Sequence, residues 1–323
     1  MRAPSWWEHS GLLSTLLKPL SCLYSGAGML RAKIVTPQKM SVPVLCVGNF
    51  TAGGAGKTPT VMALAYKLTA MGERPHVISR GYGGSITEST MVDVTAHKAF
   101  DVGDEPLLIS KAAPCWVGSR RVDSARSAIA RGATVLLMDD GFQNPELVKD
   151  VNLVVVDGGY GIGNGAVIPA GPLREPLEEA LSRADYVLII GDDVHKVADR
   201  VGSVPVLQAT IEANDTLEDK KYIAFAGIGR PEKFVETLKD MGIEPLNFHA
   251  FPDHYEYNTG EIEALLAEAK EKNTTLITTT KDAVKIDEKY MASIAVLPVA
   301  LSFDADNDKV DDLLNNLMED GGV

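Results

Sequence analysis

Residues 42–58 read Val-Pro-Val-Leu-Cys-Val-Gly-Asn-Phe-Thr-Ala-Gly-Gly-Ala-Gly-Lys-Thr, and their order governs how the rest of the chain is read. Val42 to Val47 is a short apolar run of strand type, a glycine-rich turn follows, and Thr58 to Met71 has a helical pattern. Strand, loop and helix in that order suit a phosphate-binding loop. Its glycines let backbone N–H groups turn toward phosphate oxygens, and the helix N-terminus adds partial positive charge. Thr51, Ala52, Gly53, Gly54, Ala55, Gly56, Lys57 and Thr58 are therefore the nucleotide-binding candidates, with Lys57 reaching the β- and γ-phosphates of ATP and Thr58 the Mg²⁺. Thr51 stands where the general pattern has its first glycine. A turn of this composition can also simply join a strand to a helix.

A second element strengthens the nucleotide reading. Thr134 to Met138 is an apolar run that ends in Asp139-Asp140, as a buried strand does when it delivers Mg²⁺-holding acids to its carboxyl end. The residues leave open which acid touches the metal directly, and a turn-forming pair before Gly141 is the plain alternative.

Further apolar runs at 76–78, 151–156 and 186–190 alternate with helix-like segments at 105–112 and 121–131. That alternation predicts an α/β fold, a P-loop NTPase-like parallel sheet covered on both faces. A polar stretch, Ala213 to Lys221, reads as a linker into a second, smaller α/β domain with strands at 222–226, 275–279 and 294–299 and helices at 231–241 and 259–269. The expected division is 1–35 as an N-terminal amphipathic helix, 36–212 as the P-loop core and 213–323 as the C-terminal domain. The helix at 309–318 can pack on either domain. The glycine cluster at 158–165 lacks an evident following helix, so it reads as a mobile loop and not as a dinucleotide site.

The formal net charge of −13 argues against a nucleic-acid partner, since phosphate backbones are bound mainly by Lys and Arg. The three cysteines, Cys22, Cys46 and Cys115, lie far apart with no Cys-x-x-Cys spacing, which suggests neither a disulfide framework nor a zinc site. No stretch reaches the roughly 18 consecutive apolar residues of a bilayer span. From Trp6 to Leu30, however, apolar residues recur at three- and four-residue spacing, which predicts an amphipathic helix broken or bent near Pro19. Such a stripe packs on a core or, with Trp6-Trp7 and Arg2, Lys18, Arg31, Lys33 and Lys39 around it, lies among lipid headgroups.

Several blocks together resemble the tetraacyldisaccharide 4'-kinase family, the lipid A 4'-kinases of Gram-negative bacteria. They are Val47 to Phe50, Ser79 to Gly84, Gly103 to Pro106, Asp139 to Gln143, Pro169 to Glu175, Ala226 to Gly229, Phe251 to His254 and Thr280 to Lys285, in that order over nearly the whole chain. The resemblance implies an ATP- and Mg²⁺-dependent kinase acting on the 4'-hydroxyl of a tetraacyldisaccharide 1-phosphate at the cytoplasmic face of the inner membrane. It favours membrane contact for the N-terminal helix.

By the same resemblance Asp104 is the base that takes the hydroxyl proton, paired with His254 from the second domain. From the residues alone Asp104 reads sooner as a helix N-cap than as a base. Arg174 would neutralise charge on the transferring group and Glu175 support magnesium or nucleotide, with a surface ion pair as the ordinary alternative for both. Tyr82 and Arg120 or Arg121 look like acceptor contacts, arginine being suited to bidentate phosphate recognition. A rival from another class is a nucleotide-switched, membrane-associated ATPase, whose loops carry a lysine where Ala52 stands here.

Overall fold

The computed structural model describes residues 4–213, 217, 218 and 220–320. Residues 214–216 and 219 of the expected linker, and Arg2 of the expected basic cluster, lie outside the described residues.

The chain builds two sheets. The larger has nine strands: β1 Val44–Asn49, β2 Pro75–Ser79, β3 Thr90–Met91, β4 Cys115–Val117, β5 Val135–Asp139, β6 Val151–Asp157, β7 Tyr186–Ile190, β8 Val206–Ala213 and, from the far end of the sequence, β13 Val299–Ser302. Their order is β13-β8-β7-β6-β1-β5-β2-β4-β3, with every neighbour parallel except the two edge pairs β13–β8 and β3–β4. The smaller sheet is parallel, in the order β10-β9-β11-β12, from β9 Tyr222–Ala226, β10 Asn247–Ala250, β11 Thr275–Thr279 and β12 Ile294–Leu297.

β1, β5 and β2 are buried on both faces, which is why they read as unbroken apolar runs rather than alternating ones. One face is covered by the helix Lys57–Ala70 and the C-terminal helix Asn307–Asp320, whose Val310, Leu313, Leu314 and Leu317 join the same core as Val61, Leu64 and Leu68. The last helix thus packs back on the P-loop core. The expected single strand 294–299 divides between the sheets. Pro298 carries no N–H to continue a ladder, and on its far side β13 pairs with β8.

The N-terminal segment differs from expectation in three ways. A 3₁₀ turn at Ser5–Trp7 precedes the α-helix Leu12–Ile34, which runs through Pro19 without ending there. The Trp6 and Trp7 indoles do not face outward as an interfacial pair would: both donate to the carbonyl of Pro169, at 3.3 and 3.1 Å. The helix also meets the body through its polar side. Ser14 and Ser21 are buried, and Ser21 Oγ donates to Val167 O at 2.6 Å. Leu12, Leu16, Leu20, Leu23, Leu30 and Ile34 remain exposed. The stripe read from the sequence is real, but it does not serve the core.

The glycine cluster at 158–165 is likewise tied down. Asn164 Nδ2 donates to Trp6 O, Ser14 Oγ and Ala170 O, and Asn164 N donates to Trp7 O. It forms the seat of the N-terminal segment, a role that glycine spacing does not announce.

Candidate active site

A cleft of about 1320 Å³ opens between the two sheets, lined by the glycine-rich loop on one side and by Tyr82, Arg121, His254 and Lys281 on another. The loop leaves β1 and delivers Lys57 as the first residue of its helix, with Gly53 and Gly56 at φ 118° and 90°, backbone that side-chain-bearing residues rarely adopt. Thr51 is buried and bridges to Leu173, Ala52 N donates to Pro172 O, and Asn49 Nδ2 donates to the carbonyls of Thr51 and Gly53. The loop is braced before any ligand arrives.

Asp139 ends β5 alongside the loop and Asp140 follows in the left-handed region, at φ 49°. Asp140 Oδ1 lies 2.7 Å from Arg174 Nη1 and 3.6 Å from Lys57 Nζ. Burial pushes its carboxyl up, but the Lys57 and Arg174 charges outweigh burial and hold it below the usual carboxylate range. Asp139 is buried almost completely. Ser79 Oγ donates to its Oδ2 at 2.9 Å, while Oδ1 has no hydrogen-bond partner among the described residues. Burial first, then the charges of Glu105 and Asp140, push its pKa up to about 7. A buried carboxylate oxygen without a donor is costly unless a cation completes it. The orphaned Oδ1 of Asp139 is an oxygen that a magnesium ion would complete.

Arg174 also donates to Thr51 O and Gln143 Oε1, so one guanidinium joins the loop to the acids. Glu175 joins that junction only through Gln143. It accepts from Gln143 Nε2 at 3.0 Å and pairs with Arg183, whose guanidinium lies over the Phe142 ring. Its observed part is to hold the side chains that flank the acids.

At the opposite wall Asp104 begins the helix Asp104–Ile109, with Gly103 as the N-cap, so Asp104 is not the cap. Its side chain is 5 % exposed and both carboxylate oxygens lie 3.0 Å from His254 Nδ1. His254 comes from the loop after β10 and stands at φ 56°. Left-handed backbone is uncommon at a non-glycine residue, and of the five described residues that adopt it Asp140 and His254 line the cleft. The Asp104 carboxyl is raised by burial, but the His254 hydrogen bond and the Lys281 charge bring it below the usual range.

Tyr82 is exposed and its ring sits 5.4 Å from that of His254. The two candidate arginines separate cleanly. Arg120 is outward and pairs with Asp123. Arg121 is 3 % exposed, donates from Nη1 to Gly118 O, and keeps a buried Nε with no partner among the described residues. Sequence reasoning missed Ser79, Gln143, Asp253 and Lys281. All four stand inside blocks that carry the family resemblance, but each is a single polar residue with no spacing to announce a role.

The second sheet meets the loop directly. A Cβ on Gly229 would stand 3.2 Å from Gly54 N, and Asp157 at the end of β6 pairs with Lys233 Nζ at 2.6 Å and Arg230 Nη1 at 3.1 Å. A braced phosphate loop, metal-type acids at the end of the adjacent strand and an acid–histidine pair across the cleft define a P-loop phosphotransferase. The particular family follows from the whole chain: residues 13–319 match the model of the tetraacyldisaccharide-1-P 4'-kinases, and the chain belongs to that family. A tetraacyldisaccharide 4'-kinase of Paramagnetospirillum magneticum is 46% identical over 311 residues, 94% of this chain and 95% of that one. One from Rhodospirillum rubrum is 44% identical over 314 residues, 94% of each chain. A solved structure titled as the "apo" form of LpxK from Aquifex aeolicus in complex with ATP superposes with a TM-score of 0.79 at 27% identity, covering 95% of this chain and all of that one. Membership in this family decides between the two readings of the loop in favour of the kinase.

Proposed function

We propose that the chain transfers the γ-phosphate of ATP to the 4'-hydroxyl of a tetraacyldisaccharide 1-phosphate at the cytoplasmic face of the inner membrane. The observation that carries the residue roles is the Asp104–His254 pair, 3.0 Å across, in the same cleft as Lys57, Asp139 and Asp140. Loop amides and Lys57 hold the donor phosphates, and Thr58, Asp139 and Asp140 hold magnesium, which when bound neutralises phosphate charge. Arg174 balances charge on the transferring group. Asp104 accepts the proton of the sugar hydroxyl as His254 keeps its carboxylate oriented. Arg121, buried with an Nε that has no partner among the described residues, faces the acceptor side, and Tyr82 closes over the pair. Glu175 acts on magnesium only through Gln143, which Arg174 also contacts.

The leucine face of the helix Leu12–Ile34 is the membrane contact, supported by its exposure and by Lys18, Arg31, Lys33 and Lys39 nearby. No helix among the described residues is long and apolar enough to cross a membrane. The site draws on both sheets, since Asp104 comes from the larger and His254 from the smaller. The test is incubation with labelled ATP, Mg²⁺ and a tetraacyldisaccharide 1-phosphate, with the product's phosphate position read by NMR. Label appearing only as inorganic phosphate rejects the reading.

A further inference from the structure

Lys281 is a charged side chain of the cleft that the reaction above leaves without a part. It stands in the short helix Thr280–Ala283 after β11, on the second sheet's side of the cleft. Its Nζ lies 3.2 Å from Glu105 Oε1, 3.4 Å from Asp253 Oδ1, 3.5 Å from His254 Nε2 and 4.0 Å from Asp104 Oδ2. The helix that carries it is fastened in place. Asp282 accepts from Gly227 N, Thr279 Oγ1 and Tyr257 Oη and pairs with Lys285. This is not a lysine that wanders over a surface.

Two features bear on what it does. Three carboxylates from two elements, Asp104 and Glu105 on one side and Asp253 on the other, surround one ammonium. Burial would push that ammonium toward neutrality, but Glu105, Asp253 and Asp104 outweigh it and keep it charged. A lysine ammonium has donors only. At 3.5 Å from His254 Nε2 it suits an imidazole whose Nε2 is an acceptor and whose ring proton is on Nδ1, facing Asp104. Asp253 Oδ2, at 3.7 Å from the same Nε2, would favour the other protonation pattern, and Lys281 also draws Asp253 toward itself.

We infer that Lys281 is a positioning residue for the reaction: from the same side of the cleft as His254 it sets the tautomer that donates from Nδ1 to Asp104, and it supplies the counter-charge that keeps Asp104 an anion. This rests on the reading of Asp104 as the base. The groups facing Lys281 are Asp104, Glu105, Asp253 and His254, and Lys285, in the turn just past its helix, adds a second positive charge near Asp104. Losing Lys281 therefore removes a cation from Asp104 and raises its pKa.

The experiment compares wild type with Lys281→Met, Lys281→Arg and Asp104→Asn in the full chain. Lys281→Met is expected to lower kcat about 10²-fold with KM for ATP unchanged. The acid limb of its kcat/KM profile should move up by about one pH unit, and Lys281→Arg should restore the limb more than the rate. With ¹⁵N-labelled histidine, assigned by His254→Gln, wild type shows the His254 proton on Nδ1 and Lys281→Met shows it shared between the two nitrogens. A purely structural lysine would lower Tm and leave profile and imidazole signals unmoved, which overturns the inference. So does a wild-type His254 signal protonated on Nε2, a measurement that needs no variant to fold. Full turnover by Asp104→Asn removes the base and this inference with it, whereas an inactive Asp104→Asn beside a fully active Lys281→Met removes only the role of Lys281.

Discussion

Gly48→Ala tests whether the acid pair is held by packing as tightly as the site requires. Gly48 lies in β1, and a Cβ added there would stand 2.3 Å from Phe142 Cβ, 3.2 Å from Phe142 N and 3.3 Å from its Cα. Carbon atoms in contact rest about 3.5–4.0 Å apart, so the backbone at Phe142 must retreat by more than about 1 Å. Phe142 is fully buried and sits two residues past Asp140, between Phe50 and the Arg183 guanidinium. It has no free direction to move. Overpacking of this kind costs roughly 1–3 kcal/mol, and a displacement near 1 Å at a catalytic group can cost about 10²-fold in rate.

Thermal unfolding and a magnesium titration of kcat at saturating ATP measure both effects. The expected variant melts several degrees lower and turns over about a hundred times more slowly. A second substitution sharpens the test, because the clash is Cβ against Cβ. Phe142→Ala keeps that atom, so Gly48→Ala/Phe142→Ala should be no more active than Gly48→Ala alone. If the double variant recovers wild-type kcat, or Gly48→Ala alone matches wild type in Tm and kcat, the packing argument is wrong.

Arg121→Met should raise KM for the acceptor at least tenfold, while Arg120→Ala, which loses only an exposed pair with Asp123, should change neither kcat nor KM beyond twofold. Arg174→Met separates the loop from Asp140 and should reduce kcat by about 10²–10³-fold with little change in Tm, checked by single-turnover transfer. His254→Gln should destabilise the fold at neutral pH. Because the folded Asp104 pKa is depressed below 3.8, its pairing contributes stability above the unfolded value and loses it as pH falls through the folded one, so the Tm gap between wild type and variant should narrow in strong acid. Leu16→Glu/Leu23→Glu, on the exposed face of the N-terminal helix, should weaken co-sedimentation with anionic vesicles and leave Tm within a degree or two.

What could be read from the sequence follows from what each feature depends on. The phosphate loop and the acids after β5 were legible because each is local, a few consecutive residues whose backbone course sets their function. The parallel strands were legible because burial on both faces leaves an unbroken apolar run. β8 and β13 were not, since β8 is buried on alternate residues at the rim of the sheet and β13 finds its partner ninety residues upstream. The N-terminal helix showed its stripe, but periodicity does not say which side faces the protein. That was decided by Ser14, Ser21 and Asn164, polar residues of no evident pattern. The Asp104–His254 contact spans 150 positions, and from the residues alone nothing distinguished Asp104 from a cap.

That division between local and distant residues also runs through the chemistry. Lys57, Asp139, Asp140 and Arg174 all come from the larger sheet and its loops, so on the proposed reading the nucleotide is held by that sheet's own residues. Asp104 comes from the larger sheet too, yet the imidazole that orients it and the ammonium that balances it both come from the smaller. On the proposed reading, donor binding and base activation are therefore separable, and the seam between the sheets, where Gly229 approaches Gly54 and Asp157 meets Arg230 and Lys233, couples them. The Asp104–His254 pair is already formed at 3.0 Å, so on the proposed reading it is the acceptor's displacement of water from the cleft, and not a late arrival of the base, that favours transfer over hydrolysis.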